Sequence, residues 1–131
     1  LHILYLTDVA VTLAKIAPVI TNIHINLAEL SPYVAVESAE FNLRVLHSAC
    51  FVETASNQMQ NITNRILSLE ATDPLGSDLS KYCDLCTYTR KLASTVTSER
   101  DSLEAFRTGY LNAGAAGLNN EGLNLLFDLH N

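Results

Sequence analysis

Residues 9–30 decide the fold class, and they read VAVTLAKIAPVITNIHINLAEL. Their large aliphatic residues alternate four and three positions apart, at Val9, Leu13, Ile16, Ile20, Ile23, Leu27 and Leu30. This spacing places all of them on one stripe of an amphipathic α-helix. We expect Thr7 or Asp8 to cap the start of this helix. We expect Pro18 to kink or break it near Ala17, because proline removes a backbone donor.

Three further segments show helical spacing. The second, about residues 33–69, carries one stripe at Val36, Ala39, Leu43, Leu46 and Cys50. A second stripe, offset in phase, follows at Val52, Ala55, Met59, Ile62, Ile66 and Leu69. The offset predicts a rotated contact face or a break. A third helix is predicted from Ser77 or Asp78 to about Arg107, with Gly109 as its C-terminal cap. The fourth segment, 111–129, keeps the spacing but contains three glycines that weaken it.

The pattern along the whole chain is all-α. No stretch alternates at period two, and no Asn-Gly or Asp-Gly hairpin turn occurs. Short loops between helical segments favour antiparallel neighbours. We therefore predict a single domain over residues 1–131, built as an antiparallel four-helix bundle, or as five helices if Pro18 or the phase offset breaks a segment.

Composition excludes several classes of function. The 131 residues are 48% hydrophobic and 17% charged, which argues against disorder. A formal net charge of −6 argues against nucleic-acid partners and against attraction to anionic lipid headgroups. We expect no transmembrane segment, because Asp8, Lys15 and Pro18 interrupt the longest apolar run.

Cys83-Asp84-Leu85-Cys86 is the sharpest local motif. A redox pair needs its first thiol at a helix N-terminus, and a zinc site needs further ligands, whereas the four histidines are scattered. The structural alternatives are a disulfide between Cys50 and one of this pair, joining the second and third helices, or three small core residues. No catalytic, metal or cofactor motif occurs elsewhere, so we assign no catalytic residue, metal or cofactor.

The chain has more apolar surface than one stripe per helix requires. In the first helix, Val11, Ala14, Ala17, Val19 and Ile25 lie on faces beside the main stripe. Such a wide apolar face meets a partner surface or surrounds an internal cavity. The alternative is a filled core with a few exposed aliphatic residues.

Three stretches resemble a known family. They are Thr7-Asp8-Val9-Ala10-Val11-Thr12-Leu13, then Ala35-Val36-Glu37-Ser38-Ala39-Glu40-Phe41-Asn42-Leu43, and then Asp101-Ser102-Leu103-Glu104-Ala105-Phe106. In these stretches the chain is similar to the fungal secreted hydrophobic-surface-binding family, whose helical domains include cell-wall lipid-binding antigens. The three cysteines and residues 57–69 depart from that family's pattern. The resemblance implies a secreted or cell-surface helical bundle that binds a fatty acid or adsorbs to apolar surfaces.

Three functional hypotheses follow. The first is a non-enzymatic domain that binds a hydrophobic ligand, a fatty acid or similar lipid, in an apolar core cavity. Its predicted lining residues, chosen from the inward stripes, are Leu13, Ile20, Phe41, Leu46 and Val96. The second is an interaction module whose apolar stripe docks on a protein partner or self-associates. The third is a redox protein or enzyme centred on Cys83 and Cys86.

Overall fold

The computed structural model describes residues 1–113, which form three long helices joined by short connections. Helix α1 spans His2–Leu30, α2 spans Ala39–Thr72 and α3 spans Leu79–Asn112. A 3₁₀ turn over Ser31–Tyr33 follows α1. The all-α fold class is confirmed, since these described residues contain no strand. The predicted fourth helix lies outside them, except for its first residues.

The helices run up, down and up. The start of α2 meets the end of α3, where the Phe41 ring packs on the rings of Phe106 and Tyr110. The two helices are therefore antiparallel. Helices α1 and α3 run parallel, because their N-terminal ends meet where the Cys86 thiol contacts the Tyr5 carbonyl. Helix α1 lies closest to α3, and α2 packs against both.

One apolar core fills the space between the three helices. The predicted α1 stripe supplies five fully or nearly fully buried residues, Val9, Ile16, Ile20, Ile23 and Leu30. The second predicted stripe of α2 also faces inward, with Val52, Ala55, Ile62 and Leu69 buried. From α3 the core receives Tyr82, Leu85, Leu92, Val96, Leu103 and Phe106, among others.

Helix α1 begins earlier than predicted and is not broken. Neither predicted cap acts as one, because the Thr7 hydroxyl donates to the Ile3 carbonyl and the Asp8 carboxylate pairs with Arg90. Pro18 lies inside the continuous helix. It is exposed, and the buried residues Ile16 and Ile20 on either side hold the helix against the core. This packing offsets the lost backbone donor and the clash of the proline ring with the preceding turn.

Helix α2 begins later than predicted and is also continuous. The Ser38 hydroxyl caps it by accepting a hydrogen bond from the Phe41 backbone N–H at 3.3 Å. The five-helix alternative is therefore wrong, since both proposed break points lie within unbroken helices. The phase offset instead marks two opposite apolar faces. The first stripe points outward, with Val36, Leu43, Leu46 and Cys50 exposed.

Helix α3 extends past its predicted end. Gly109 lies inside the helix, and Leu111, assigned to the fourth segment, belongs to α3. The buried Tyr110 explains the extension, because its ring packs on Tyr33 and Phe41 and holds the last turn helical. The predicted loop between α2 and α3 is confirmed. Within it Gly76 adopts a φ of 72°, which favours glycine, and a Cβ there would collide with the His2 ring.

The two faces of α2 differ in their contribution to stability. Ile62 is completely buried and Leu67 is 58% exposed on the same helix. Ile62→Ala should lower the free energy of unfolding by about 2–5 kcal/mol, because it leaves a cavity in the core. Leu67→Ala should change it by less than about 0.5 kcal/mol. Urea denaturation measures both, and equal losses would contradict the assignment of the inward face.

Candidate functional site

An open groove between α1 and α2 is the best candidate for a ligand site. It has a volume of about 370 Å³ and is lined by Leu13, Ala17, Ile20, Ser56, Met59, Gln60 and Thr63. The α1 side is entirely apolar, and the α2 side adds Met59 with one amide and two hydroxyl side chains. Known small-molecule sites start near about 300 Å³ and combine apolar walls with a few polar groups. This groove, which we call the α1–α2 groove, reaches the small end of that volume range and has such a lining, but it is open to solvent along one side.

The structure brings together only two of the five predicted lining residues. Leu13 and Ile20 line the α1–α2 groove. Phe41 and Val96 are fully buried in the packed core instead, where Phe41 contacts the aromatic rings of α3. Leu46 is 58% exposed on the outward face of α2. Met59 and Ala17 were not predicted to line the site, although both lie on or beside the stripes identified from spacing.

A second open groove, of about 400 Å³, lies between α1 and α3 near their N-terminal ends. Its walls include an exposed ion pair in which Arg90 Nε and Nη2 donate to the two Asp8 carboxylate oxygens at 3.0 and 2.8 Å. This pairing holds the pKa of Asp8 below its usual value. Cys83 and Cys86 border the same groove. It is more polar than the α1–α2 groove and already holds its charges in pairs.

The three cysteines are free. Cys50 cannot reach the other two, because its neighbour Ser48 contacts Glu99, which lies about 24 Å along α3 from Cys83 at 1.5 Å per residue. A disulfide requires Cα atoms within about 7 Å. The predicted bridge between the second and third helices is therefore not formed. Of the structural alternatives, the core role fits Cys86 alone, since Cys50 and Cys83 are exposed.

The Cys86 thiol is buried and lies 3.2 Å from the Tyr5 carbonyl oxygen, to which it donates. Burial raises the pKa of Cys86 above its usual value, and the nearby Asp8 charge raises it further. A redox or nucleophilic thiol needs the opposite shift, because the thiolate is the reactive form. The surroundings of Cys86 therefore do not favour the hypothesis of a redox centre.

A buried polar network joins α2 to α3, and it has no counterpart in the predictions. The Arg44 guanidinium donates to Ser48 Oγ at 2.6 Å, to Glu99 Oε1 at 3.3 Å and to Ser102 Oγ at 2.9 Å. Ser48 Oγ in turn donates to Glu99 Oε1 at 2.7 Å. The Arg44 and Glu99 side chains are only 11% and 12% exposed. The spacing of Arg44, Ser48 and Val52 is the one sequence signal that these residues share a face.

This network contains serine, histidine and glutamate, but not in a catalytic arrangement. A hydrolytic triad places histidine between the nucleophile and the carboxylate. Here Ser48 bonds directly to Glu99, and His47 Nε2 lies 3.7 Å from the other oxygen of that carboxylate. Ser48 is completely buried, so substrate cannot reach it. The network is a structural cross-link.

The outer faces of α1 and α2 expose large apolar side chains. On α1 these include Leu4, Val11 and Ile25, and on α2 they include Leu43 and Leu46. Among the described residues, one helical stretch, His2–Tyr33, is long and apolar enough to cross a membrane by length and composition, and most of its apolar window is not buried. Core helices and signal sequences meet the same criterion. The absence of a transmembrane segment therefore remains a prediction.

No three metal-ligating side chains gather into a cluster within residues 1–113. Glu37, in the connection before α2, accepts a hydrogen bond from the Tyr110 hydroxyl, and Glu40, in the first turn of α2, is exposed. Desolvation and this hydrogen bond both raise the pKa of Tyr110. The contact ties the end of α3 to the connection before α2.

The Arg44–Glu99 pair should be strongly coupled. Arg44→Met should lower the free energy of unfolding by about 3 kcal/mol, because it leaves a largely buried carboxylate without its cation. Adding Glu99→Leu should restore part of that loss. Urea denaturation of Arg44→Met, of Glu99→Leu and of the double variant completes a double-mutant cycle. Additive losses of unfolding free energy would show that the two groups do not interact. Arg90→Met, at the exposed pair with Asp8, serves as the control and should lower the free energy of unfolding much less.

Thiolate formation at Cys86 should require alkaline solution. In a Cys50→Ser/Cys83→Ser variant, ultraviolet thiolate absorbance should rise only above the usual pKa of 9.0. Folding raises the pKa of Cys86. The stability that the neutral thiol contributes is therefore complete below the pKa of the thiol in the unfolded chain, and it declines as pH rises through the pKa in the folded protein. A thiolate that forms near neutral pH would restore the redox hypothesis.

Comparison of the chain with protein families, with curated proteins and with solved structures found no match.

Proposed function

We propose that this protein is a non-enzymatic helical domain that binds a hydrophobic small molecule, a fatty acid or similar lipid, in the α1–α2 groove. The observation that carries the proposal is the lining of that groove. Leu13, Ala17, Ile20 and Met59 provide an apolar wall at the edge of the core, and no charged side chain interrupts it. Burying an alkyl chain against such a wall is favourable by about 0.8 kcal/mol per CH₂ group.

The polar residues of the groove constrain the ligand. Ser56, Gln60 and Thr63 offer hydroxyl and amide groups on the α2 side, and Gln60 already donates to Asn64 at 3.1 Å. With no cation in the lining, a carboxylate headgroup gains no ion pair there and remains in water. The groove therefore suits the alkyl portion of a lipid, with the headgroup at the open side.

Two further parts of this proposal come from the sequence. A fourth helix, which would complete an antiparallel four-helix bundle, is proposed from the apolar spacing of residues 111–129 alone, most of which lie outside the described residues. A secreted or cell-surface location and a relationship to the fungal hydrophobic-surface-binding family rest on the resemblance of the three quoted stretches. Both are consistent with a lipid-binding role.

A protein-interaction module is the second candidate function. The exposed apolar residues Leu4, Val11 and Ile25 favour it, because their spacing places them along one side of α1, and an amphipathic helix can dock such a side on a partner. This candidate predicts an oligomer or a bound partner protein, whereas the lipid-binding proposal predicts a monomer with a small molecule. Light scattering of the purified full chain separates the two.

Filling the α1–α2 groove should weaken ligand binding. Ala17 is exposed and lines the groove. Ala17→Trp should weaken binding of a dansyl-labelled fatty acid by roughly ten-fold or more, equivalent to about 1.4 kcal/mol. Fluorescence titration, with displacement by unlabelled oleate, provides the measurement.

Ala14→Trp is the matched control. Ala14 is exposed on α1 but does not line the groove, so this variant should bind like the wild type. Leu46→Trp should also leave binding unchanged, because Leu46 lies on the outward face of α2. Equal affinity of Ala17→Trp and Ala14→Trp would place the ligand elsewhere, and no binding by the wild type would refute the proposed function.

A further inference from the structure

A third groove lies between α2 and α3, about midway along both helices. It has a volume of about 270 Å³ and is more enclosed than the α1–α2 groove. The residues that line it are Phe51, Thr54, Ala55, Gln58, Tyr88, Lys91, Leu92 and Thr95. Two of its apolar residues, Phe51 and Tyr88, are aromatic, and its charged residue is a cation, Lys91. We call it the α2–α3 groove.

The charge of Lys91 is not neutralised by a described carboxylate. All eight lysine and arginine residues of the chain belong to the part that the structure describes. Five of them form ion pairs with carboxylates, namely Arg44, Lys81, Arg90, Arg100 and Arg107. A sixth, Lys15, lies near enough to Asp8 to help lower the pKa of that carboxyl. Within residues 1–113, this leaves Arg65 and Lys91 without an acidic partner.

These two cations lie beside the same aromatic ring. Tyr88 lines both the α2–α3 groove and an adjoining open pocket that contains Arg65. The Arg65 guanidinium lies over the Tyr88 ring, 5.4 Å from its centroid, where the cation and the ring attract each other. Lys91 follows Tyr88 by three residues and so lies on the same face of α3. Asp84, one turn before Tyr88, is exposed and lines neither pocket.

The size and lining of the groove limit what it can hold. A volume of about 270 Å³ is slightly below the range of roughly 300–1,000 Å³ that is typical of sites for drug-sized ligands. The groove therefore suits a body of one or two rings rather than a long alkyl chain. The Phe51 and Tyr88 rings favour a planar aromatic partner. An ammonium group beside them favours a carboxylate, which accepts a charge-assisted hydrogen bond.

We propose that the α2–α3 groove binds a small aromatic carboxylate. The carboxylate accepts a hydrogen bond from the Lys91 ammonium group, and the aromatic ring of the ligand packs against Phe51 and Tyr88. Arg65 adds a second positive charge beside the same ring. This site is separate from the α1–α2 groove, whose lining contains no cation, and it does not rest on the lipid-binding proposal.

Titration of the isotopically labelled full chain with cinnamate, followed by NMR, tests the site. Amide shift changes should concentrate at groove residues such as Thr54, Gln58 and Thr95. The neutral counterpart, cinnamyl alcohol, should bind about five-fold or more weakly, because it lacks the charge that pairs with Lys91. Added salt should weaken cinnamate binding, since it screens exposed charges. Equal affinities for the acid and the alcohol, shift changes confined to other surfaces, or no binding of cinnamate would each overturn the proposal.

Substitutions of single lysines identify the cation that is used. Lys91→Met should weaken cinnamate binding by about five-fold or more, and Lys91→Arg should retain most of the affinity, because it keeps the positive charge. Lys15→Met is the matched control. It removes the same charge from an exposed lysine that does not line the groove, so it should bind cinnamate like the wild type. Equal affinities of Lys91→Met and Lys15→Met would overturn the assignment of Lys91.

The two ligand proposals fail separately. Ala17→Trp fills the α1–α2 groove and should leave cinnamate binding unchanged, whereas Lys91→Met should leave binding of the dansyl-labelled fatty acid unchanged. Cinnamate binding that is lost in Ala17→Trp and kept in Lys91→Met would place the aromatic ligand in the α1–α2 groove and overturn the α2–α3 site. Cinnamate binding at Lys91 by a protein that binds no fatty acid would support this site and refute the lipid-binding function alone.

Discussion

The close parallel packing of α1 against α3 is the constraint on which the rest of the structure depends. These two helices approach each other more closely than either approaches α2. One contact between them is direct from side chain to backbone, since the Cys86 thiol of α3 donates to the Tyr5 carbonyl of α1. Helix α2 then packs on the pair through larger side chains such as Phe41 and Ile62. The α1–α2 groove lies between the two helices α1 and α2, which pack less extensively on each other than α1 packs on α3.

A buried ionic cross-link fixes how α2 sits on that pair. Arg44 and Glu99 are largely removed from water, and each is hydrogen-bonded to a serine, Ser48 or Ser102, as well as to the other. Burying charges is costly unless they are paired and hydrogen-bonded, so a shift of α2 by one turn would leave both groups unsatisfied. The network therefore sets the register of α2, and with it the position of Met59 opposite Leu13 and Ile20 in the groove.

The fold class and most inward faces could be predicted from spacing alone. The α1 stripe and the second α2 stripe lie in the core because a regular apolar period leaves one face to bury. The first α2 stripe has equally regular spacing, and yet its residues Leu43 and Leu46 point outward. The prediction that Leu46 faces the core was therefore wrong. Periodicity identifies an apolar face but not the neighbour that covers it.

Other features depended on tertiary contacts between distant residues. The extension of α3 past Gly109 follows from the packing of Tyr110 on Tyr33, and the burial of Ser48 follows from its bond to Glu99. Local sequence contains neither contact. The candidate site was predicted only in part for the same reason. Leu13 and Ile20 were identifiable from the α1 stripe, but their pairing with Met59 required the register of α2.

Native mass spectrometry of the purified full chain, followed by organic extraction and lipid analysis, tests the central claim most directly. The account predicts a monomer that carries one apolar molecule, either retained from its source or taken up from added fatty acid. A bare monomer that takes up no added fatty acid would contradict the lipid-binding function. A bare dimer would show instead that the exposed apolar faces serve association between copies of the chain.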